Sequence, residues 1–278
     1  MTYQFEPGKM YRMPTHFGPS LGPRQGTEGR KFPCDTGPFK TAYSVSFLSD
    51  RAQVERFLPE RFELDGEPVV TVLVAYMTGI EWLAGRGYNV LGVILPVFYH
   101  GERDHVRGSF LTVLWENLAD PIFIGREELG FSKIYCEIPD PIVFDGRTHC
   151  IGSWLGHKFM DLHIDRVTQV PQDRLDKTAG EGSHDGLLHY RYMPRTGEWG
   201  TADVSCAVLT PADQPNCVVT ERWEGEGTVK FHESTWEELP TTYHIVNAFA
   251  GLEIREYRGA TITKSVGAKD LGDTRMLR

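Results

Sequence analysis

A long series of short segments rich in β-branched and aromatic residues most constrains how this chain can fold. Most of these segments are bounded by Gly, Pro or Asp, which favour the turns between strands. Gly225-Glu226-Gly227 is predicted to form one such turn, between the last two strands. The predicted strands cover residues 41–48, 69–77, 90–99, 109–115, 133–138, 160–170, 187–192, 202–209, 218–223 and 228–232.

Helical signals are few. Residues 50–58 have a start that resembles a capping box, and shorter signals lie at residues 126–129 and 242–250. The strands do not alternate regularly with helices, as a parallel sheet would require. The sequence therefore predicts a mostly β (α+β) fold, an antiparallel β-barrel or sandwich with a few short helices.

The N-terminal region differs in composition from the rest. Residues 1–33 contain five prolines and five glycines and have no hydrophobic period. This composition is typical of an extended arm lying on a surface, either of the same chain or of a neighbouring subunit. Residues 34–278 have no fixed-period repeat, and no break in composition occurs between residues 34 and 265. We therefore expect residues 34–278 to form a single domain.

Composition excludes several classes of partner. The 29 basic and 38 acidic residues give a formal net charge of −9, which disfavours nucleic acid as a partner. No apolar run approaches the roughly 18 to 20 residues of a membrane span, and the first residues lack the apolar stretch of a signal peptide. The five cysteines are odd in number and scattered, as is typical of free thiols in a reducing compartment. We expect a cytoplasmic protein.

Motifs for metals and phosphates are not evident in the sequence. His157 and His163 lie six residues apart on or near a predicted strand, but no third ligand accompanies them. No Cys/His group has zinc spacing, and no phosphate-binding loop occurs. The sequence predicts neither a metal nor another cofactor.

One lysine, Lys133, lies in an unusual setting. It is close to Phe131, Ile134 and Tyr135, at the point where a strand begins after a charged turn. Burying an ammonium group is costly, so lysine is uncommon in such apolar segments. If Lys133 points inward, desolvation favours its neutral amine, the form that attacks a ketone to make a Schiff base. If it points outward, it is an ordinary strand residue, and the local pattern leaves both orientations open.

The segment Gly125-Arg126-Glu127, with Lys133 eight residues after the glycine, resembles the active-site segment of the acetoacetate decarboxylase family. This resemblance implies a β-rich, barrel-like fold, a cofactor-free site and a homo-oligomer, a dimer or a tetramer. It also implies that Lys133 forms an imine with the substrate. The matched features extend to Gly37-Pro38-Phe39-Lys40, Leu58-Pro59-Glu60, Glu67-Pro68, Tyr88 and Pro96, and more loosely to about residue 265.

The chain departs from the family at several positions. The decarboxylases have a second lysine directly after the imine-forming one, where this chain has Ile134. Their two glutamates, which are thought to place the substrate carboxylate, correspond to Leu73 and Val90 here. The family arginine of the first strand has no clear counterpart, and Lys40 lies nearest to it. These departures leave imine chemistry intact and put decarboxylation in doubt.

The leading hypothesis is therefore a lysine-dependent enzyme for small oxo acids, a pyruvate aldolase–dehydratase that condenses pyruvate with an aldehyde and then removes water. One alternative is a decarboxylase of acetoacetate or another β-keto acid. A further alternative is a non-catalytic barrel that binds a ligand. A covalent adduct on Lys133 and the release of carbon dioxide distinguish the three.

The aldolase chemistry needs a general acid or base near the imine. Each candidate also has an ordinary structural interpretation, as a packed aromatic ring, a solvated carboxylate or an ion pair that holds the turn. The acid/base candidates are Tyr257, Tyr243 and Glu128, with Tyr88 as a further option. Arg126 is the candidate for binding the substrate carboxylate, and it could instead pair with Glu127 or Glu116. The candidates for lining the pocket are Tyr88, Trp82, Trp115 and Phe131.

Overall fold

The computed structural model describes residues 3–178 and 184–278, and these contain fourteen strands and four α-helices. The strands are β1 (Phe39–Leu48), β2 (Phe62–Leu64), β3 (Val69–Thr78), β4 (Tyr88–His100), β5 (His105–Glu116), β6 (Lys133–Tyr135), β7 (Ile142–Phe144), β8 (Arg147–Trp154), β9 (His157–Gln169), β10 (Gly186–Pro194), β11 (Ala202–Pro211), β12 (Val218–Phe231), β13 (Glu256–Val266) and β14 (Arg275–Met276). The α-helices are α1 (Arg51–Glu55), α2 (Ala119–Ile124), α3 (Gln172–Thr178) and α4 (Tyr243–Ala250). A π-helical turn, Gly125–Leu129, continues α2.

All fourteen strands belong to one sheet. Its main order is β14-β11-β10-β5-β4-β3-β1-β13-β12-β9-β8-β7, with β2 paired to β4 and β6 paired to β5. Every pairing is antiparallel except those of β5 with β10 and β6. The predicted mostly β fold with a few short helices is confirmed.

The sheet closes on itself next to the segment that sequence analysis singled out. β6 pairs with β5, and Glu137, two residues after β6, exchanges two backbone hydrogen bonds with Ser153 of β8 (2.7 and 3.0 Å). Together with the pairings from β5 through β4, β3, β1, β13, β12 and β9 to β8, these bonds complete a ring. Lys133 therefore lies on the short strand that closes the barrel.

Alternation of side chains along the strands builds the core. On β9, Leu162 and Ile164 are fully buried on one face, while His163 between them is exposed on the other. This two-residue period is expected for a strand with one face on a hydrophobic core. The same core contains Leu91 of β4 and Trp115 of β5.

The α-helices are short, with five to eight residues each. The Asp50 side chain accepts a hydrogen bond from the Gln53 amide (3.0 Å) and so caps the start of α1, as predicted. The helix is shorter than expected and ends at Glu55. α4 buries Val246 and Phe249 against the core.

The predicted turn at Gly225-Glu226-Gly227 is wrong. Strand β12 runs through these residues, with a register shift between Glu224 and Glu226 in its pairing with β9. The glycines serve close packing instead, since a Cβ at Gly227 would lie 2.7 Å from Val45 and 2.8 Å from Ala260. Glycine in a strand marks a bulge or a close approach as readily as a turn.

The described part of the N-terminal arm lies against its own chain. Arg12 and Arg24 both form ion pairs with Glu128 of the π-helical turn, and Arg24 also donates to the backbone oxygen of Asp270. The arm thus covers the region around Lys133. Within the described ranges, no helix is long and apolar enough to cross a membrane.

Candidate active site

Lys133 is positioned by the chain reversal between α2 and β6. The π-helical turn ends at Gly130, whose φ of 80° lies in the left-handed region that glycine adopts without strain. The Phe131 amide then donates to the Gly125 oxygen (3.1 Å), and the Lys133 amide donates to the Phe131 oxygen (2.8 Å). These bonds turn the chain back so that the first side chain of β6 points at α2.

The Lys133 side chain is buried: the residue is only 8% exposed. Its Nζ lies 2.9 Å from Oε1 of Glu116 and donates to the backbone oxygen of Pro121 (3.0 Å). The ring of Phe131 lies beneath it, with its centre 5.4 Å from Nζ. The outward orientation that the sequence left open does not occur.

Gly125 makes room for this lysine. A Cβ built on Gly125 would lie 2.6 Å from both Cε and Nζ of Lys133. The backbone of Gly125 is helical, with φ of −67° and ψ of −36°, so any residue could adopt its conformation. The glycine is therefore explained by the space that the Lys133 side chain occupies.

Glu116 is the partner of Lys133 in a buried ion pair. It is 1% exposed, and its second oxygen, Oε2, is buried without a hydrogen-bond partner among the described residues. Burial raises the pKa of Glu116, and the charge and hydrogen bond of Lys133 oppose this rise only in part. A buried carboxylate with one free oxygen and a raised pKa is well suited to accept and return a proton.

Glu116 lies next to a position at which the resemblance implies a glutamate that this chain lacks. In the pairing of β4 with β5, Val90 lies directly opposite Glu116. The resemblance described above implies a family glutamate at the position of Val90, and Val90 lines the same cavity as Glu116. A carboxylate is thus present beside that position, supplied by the neighbouring strand.

Lys133 and Glu116 lie in the wall of a cavity of about 560 Å³. Of the residues predicted to line a pocket, Tyr88, Trp82 and Phe131 do so, whereas Trp115 is fully buried in the hydrophobic core. Burial raises the pKa of Tyr88, and the nearby charge of Glu116 raises it further, so its hydroxyl remains a proton donor at neutral pH.

Three cations besides Lys133 line the cavity, namely Arg24, Lys40 and Lys269. Arg24 is paired with Glu128, and Lys269 is paired with Asp273 (2.7 Å). Lys40 is half-buried, and no ion pair involving it is found within the described residues. It lies on β1 opposite Met77, another residue of the cavity wall. Lys40 is thus the cation best placed to accept an anionic substrate group.

Arg126 and Glu127 lie in the turn without lining the cavity. The Arg126 guanidinium donates to the backbone oxygen of Lys133 (2.8 Å) and lines a separate cavity of about 520 Å³, together with Ile134. The backbone oxygen of Glu127 accepts a hydrogen bond from Arg191 (2.7 Å). These contacts favour the structural interpretation of both residues, which hold the turn that aims Lys133.

The acid/base candidates Glu128, Tyr243 and Tyr257 also lie outside the cavity lining. Glu128 is held between the two arginines of the arm. Tyr243 is partly exposed at the start of α4, with its ring against that of His244. The Tyr257 hydroxyl donates to the backbone oxygen of Val229 (3.2 Å). The structure therefore does not bring these three side chains to Lys133.

His189 is a residue near the site that sequence analysis missed. Its ring stacks on that of Phe131, with centres 4.0 Å apart, and its Nε2 is 3.1 Å from the Leu129 oxygen. Burial, with the charges of Lys133 and Arg191, lowers its pKa to about 3, so the ring is neutral at physiological pH. A lone histidine on a strand gives no local indication in the sequence that it packs beside Phe131 and Lys133.

In the described residues, the one group able to ligate a metal is His149, Asp161 and His163, and it lies outside this cavity.

Comparisons with known proteins agree with this architecture. A family model described as acetoacetate decarboxylase (ADC) matches residues 12–270, whereas no curated protein matches the sequence. Among solved structures, the chain is similar to an acetoacetate decarboxylase from Legionella pneumophila, with a TM-score of 0.64 and 16% identity over 87% of this chain and 88% of that one.

Two further structures are similar over nearly their whole length. One is the enduracididine biosynthesis enzyme MppR, complexed with the condensation product of pyruvate and imidazole 4-carboxaldehyde, with a TM-score of 0.61 and 18% identity over 92% of this chain and 97% of that one. The other is an acetoacetate decarboxylase-like enzyme from Sphingomonas wittichii, with a TM-score of 0.57 and 17% identity over 92% and 99%. At these identities the likeness shows a shared fold.

Proposed function

The chain belongs to the acetoacetate decarboxylase family, and from this premise we propose that it is a Schiff-base enzyme in which Lys133 forms an imine with a small oxo acid. The observation that carries the proposal is the buried pair of Lys133 and Glu116 in the wall of a cavity large enough for such a substrate. The reaction we infer is that of a pyruvate aldolase–dehydratase.

Imine formation needs a neutral amine. In the proposed reaction, the ammonium group of Lys133 gives a proton to Glu116, whose raised pKa makes it a better proton acceptor. The amine attacks the ketone carbon of pyruvate and forms a carbinolamine. Glu116 then returns a proton to the departing oxygen, which leaves as water, and the iminium remains on Lys133. The half-buried Lys40 would hold the substrate carboxylate by a charge-assisted hydrogen bond.

The next steps form the carbon–carbon bond. Glu116 removes a proton from the methyl group of the imine, and the resulting enamine attacks the carbon of an aldehyde. Tyr88, whose pKa is raised by burial and by Glu116, supplies a proton to the aldehyde oxygen. The new hydroxyl then accepts a proton from Glu116 and leaves as water, while the Tyr88 phenolate takes the second proton from the same carbon, so that both side chains return to their starting states. Hydrolysis of the imine releases an unsaturated 2-oxo acid and regenerates Lys133.

Two observations support aldol chemistry over decarboxylation. The positions of the two family glutamates are Leu73 and Val90, and the apolar Val90 lines the cavity. In addition, MppR, which shares the fold, has been captured with a condensation product of pyruvate and an aldehyde. Decarboxylation of acetoacetate is the second candidate, because Glu116 keeps one carboxylate next to Lys133.

The proposal is tested by trapping the imine. Wild-type protein incubated with pyruvate and borohydride should gain a pyruvate-derived mass, and peptide mapping should place it on Lys133. Lys133→Ala should abolish the adduct, whereas Lys264→Met, which alters an exposed lysine of β13, should leave it unchanged. Pyruvate binding without any adduct would instead indicate the non-catalytic barrel and overturn the proposal.

Substrate panels separate the two enzymatic candidates. The aldolase–dehydratase should convert pyruvate with an aldehyde into a conjugated oxo acid, detected by its ultraviolet absorbance, and should release no carbon dioxide from acetoacetate. Rapid release of carbon dioxide that depends on Lys133 would support the decarboxylase instead. The homo-oligomer, the cytoplasmic location and the single domain over residues 34–278 remain predictions.

A further inference from the structure

A second cluster of chemically active side chains lies on the outward face of β8 and β9. His149 of β8 is directly opposite His163 of β9, and their rings stack with centres 4.1 Å apart. Asp161, two residues before His163, shares that face, and its Oδ1 lies 2.5 Å from Nε2 of His149. The intervening Leu162 points into the core on the opposite face. The strand pairing thus gathers three ligand-type side chains at one point.

We propose that His149, Asp161 and His163 bind one divalent transition-metal ion of the zinc class. Each residue offers one ligand atom, and the three atoms lie within 4.8 Å of one another. Two imidazoles and a carboxylate are a set that zinc prefers, with bonds of about 2.0–2.2 Å. Three atoms at such bond lengths are about 3.3 Å apart in a tetrahedral site, so the two rings must rotate out of their stacked arrangement until both nitrogen lone pairs point at the ion.

The residues around the cluster support this geometry. His232, the first residue after β12, has its Nε2 2.6 Å from Oδ2 of Asp161. It thereby fixes the carboxylate oxygen that does not face His149. Partners of this kind orient metal ligands and contribute to affinity. His163 is exposed, so the fourth coordination position faces solvent and is available to water or to an external ligand.

A cation already lies at this carboxylate. The ammonium group of Lys158 is 2.7 Å from Oδ2 and 2.9 Å from Oδ1 of Asp161. Because 44% of its side chain is exposed, it can move into solvent when a metal ion enters. Lys158 therefore competes with a metal ion for Asp161. Replacing it should raise the affinity of the site for the metal.

The site is separate from the proposed imine chemistry. None of the four residues that form or support it lines the cavity of Lys133. Metal binding and adduct formation can therefore fail independently, and the proposal does not depend on the function proposed for Lys133.

The test is isothermal titration calorimetry with Zn²⁺ on the untagged protein, after a chelator has removed any bound metal. Wild type should bind one ion per chain. His163→Ala should lower the affinity by about 100-fold or more, since even the loss of a supporting partner costs 10- to 100-fold. Lys158→Met should raise the affinity by about fivefold, the factor that corresponds to a lost ion pair of about 1 kcal/mol. His105→Ala, which alters an exposed histidine of β5, should bind like wild type.

Replacing Zn²⁺ with Co²⁺ gives a readout that does not depend on affinity. The visible spectrum of the bound Co²⁺ should show bands of a four-coordinate ion in wild type, and His163→Ala should lose them. Because His163 is exposed, this variant should keep the wild-type circular dichroism spectrum. Absence of stoichiometric Zn²⁺ binding by wild type, or unchanged binding by the folded His163→Ala protein, would overturn the proposal.

Discussion

Two lysine–carboxylate pairs in this protein have similar contact distances and different surroundings. Lys133 lies 2.9 Å from Glu116, and Lys158 lies 2.7 Å from Asp161. The Lys133 side chain is 10% exposed and that of Lys158 is 44% exposed. Glu116 has a second oxygen without a partner in the described residues, whereas both oxygens of Asp161 accept hydrogen bonds from histidines.

The surroundings shift the pKa values of the two carboxylates in opposite directions. Burial acts on both and favours the protonated form. For Glu116 burial dominates and raises the pKa, since Lys133 alone opposes it. For Asp161 the hydrogen bonds from Lys158, His232 and His149 outweigh burial and lower the pKa. The first carboxylate is thus suited to exchange a proton, and the second is suited to remain an anion that holds cations.

The largest effect is expected from Glu116→Gln. The amide cannot take the proton of Lys133, so the rate of borohydride trapping with pyruvate should fall by about 10²- to 10⁴-fold, the usual contribution of a positioned acid or base. The rate is measured by intact mass spectrometry in single-turnover experiments. Glu63→Gln, which alters an exposed carboxylate that contacts His100, should trap pyruvate at the wild-type rate. If Glu116→Gln did too, the proposed proton transfer would be wrong.

The next largest effect is a difference in stability between variants of the two lysines. Lys133→Met leaves a buried carboxylate without its cation and should reduce the free energy of unfolding at neutral pH by about 3–5 kcal/mol. Lys158→Met removes a half-exposed partner from a carboxylate that keeps two histidines, so its cost should be within about 1 kcal/mol. Denaturant unfolding of both variants beside wild type measures the difference.

The pH dependence of Lys133→Met tests the cause of its lower stability. Without Lys133 the pKa of Glu116 in the folded protein rises further, above its value in the unfolded chain. The contribution of this carboxyl group to stability is therefore full at low pH and is lost as the pH rises through the folded pKa. The deficit relative to wild type should shrink on acidification. A deficit independent of pH would point to lost packing instead.

Parts of the lysine site could be predicted from sequence, because their signals are local. The spacing of Lys133 after Gly125 belongs to the resemblance to the acetoacetate decarboxylase family, which implied an imine-forming lysine, whereas its apolar neighbours alone left both orientations open. Tyr88 and Trp82, predicted to line a pocket, do line the cavity, whereas Trp115, predicted with them, lies in the core. The contact of Glu116 with Lys133 was out of reach, because it depends on the register of β5 with β6 across 17 positions of the chain.

The cluster of His149, Asp161 and His163 depends on strand register in the same way and could not be predicted. The sequence places His157 and His163 six residues apart, which would put them on one face of a regular strand, and shows no third ligand. In the structure, His157 contacts Ser234, and the partner of His163 is His149, across the pairing of β8 with β9. Strand β8 was not predicted at all. The side-chain period of a strand indicates which of its residues share a face. The pairing and register of two strands decide which residues of one lie beside which residues of the other.

The smallest expected effect concerns how Lys133 is aimed. A methyl group at Gly125 would occupy the space of the Lys133 Cε and Nζ, whereas the Lys158 side chain is 44% exposed to solvent. Gly125→Ala should therefore displace the amine and slow trapping by about 10²-fold, the cost of a shift of roughly 1 Å. The helical backbone conformation suits alanine, but the displaced amine also loses part of its buried contact with Glu116, so some stability should be lost as well. Gly251→Ala is the matched control, since Gly251 is also in the right-handed helical region and a Cβ there comes no closer than 3.4 Å to Asn247. Trapping by Gly125→Ala at the rate of that control would mean that the position of the Lys133 amine does not depend on the space left by this glycine.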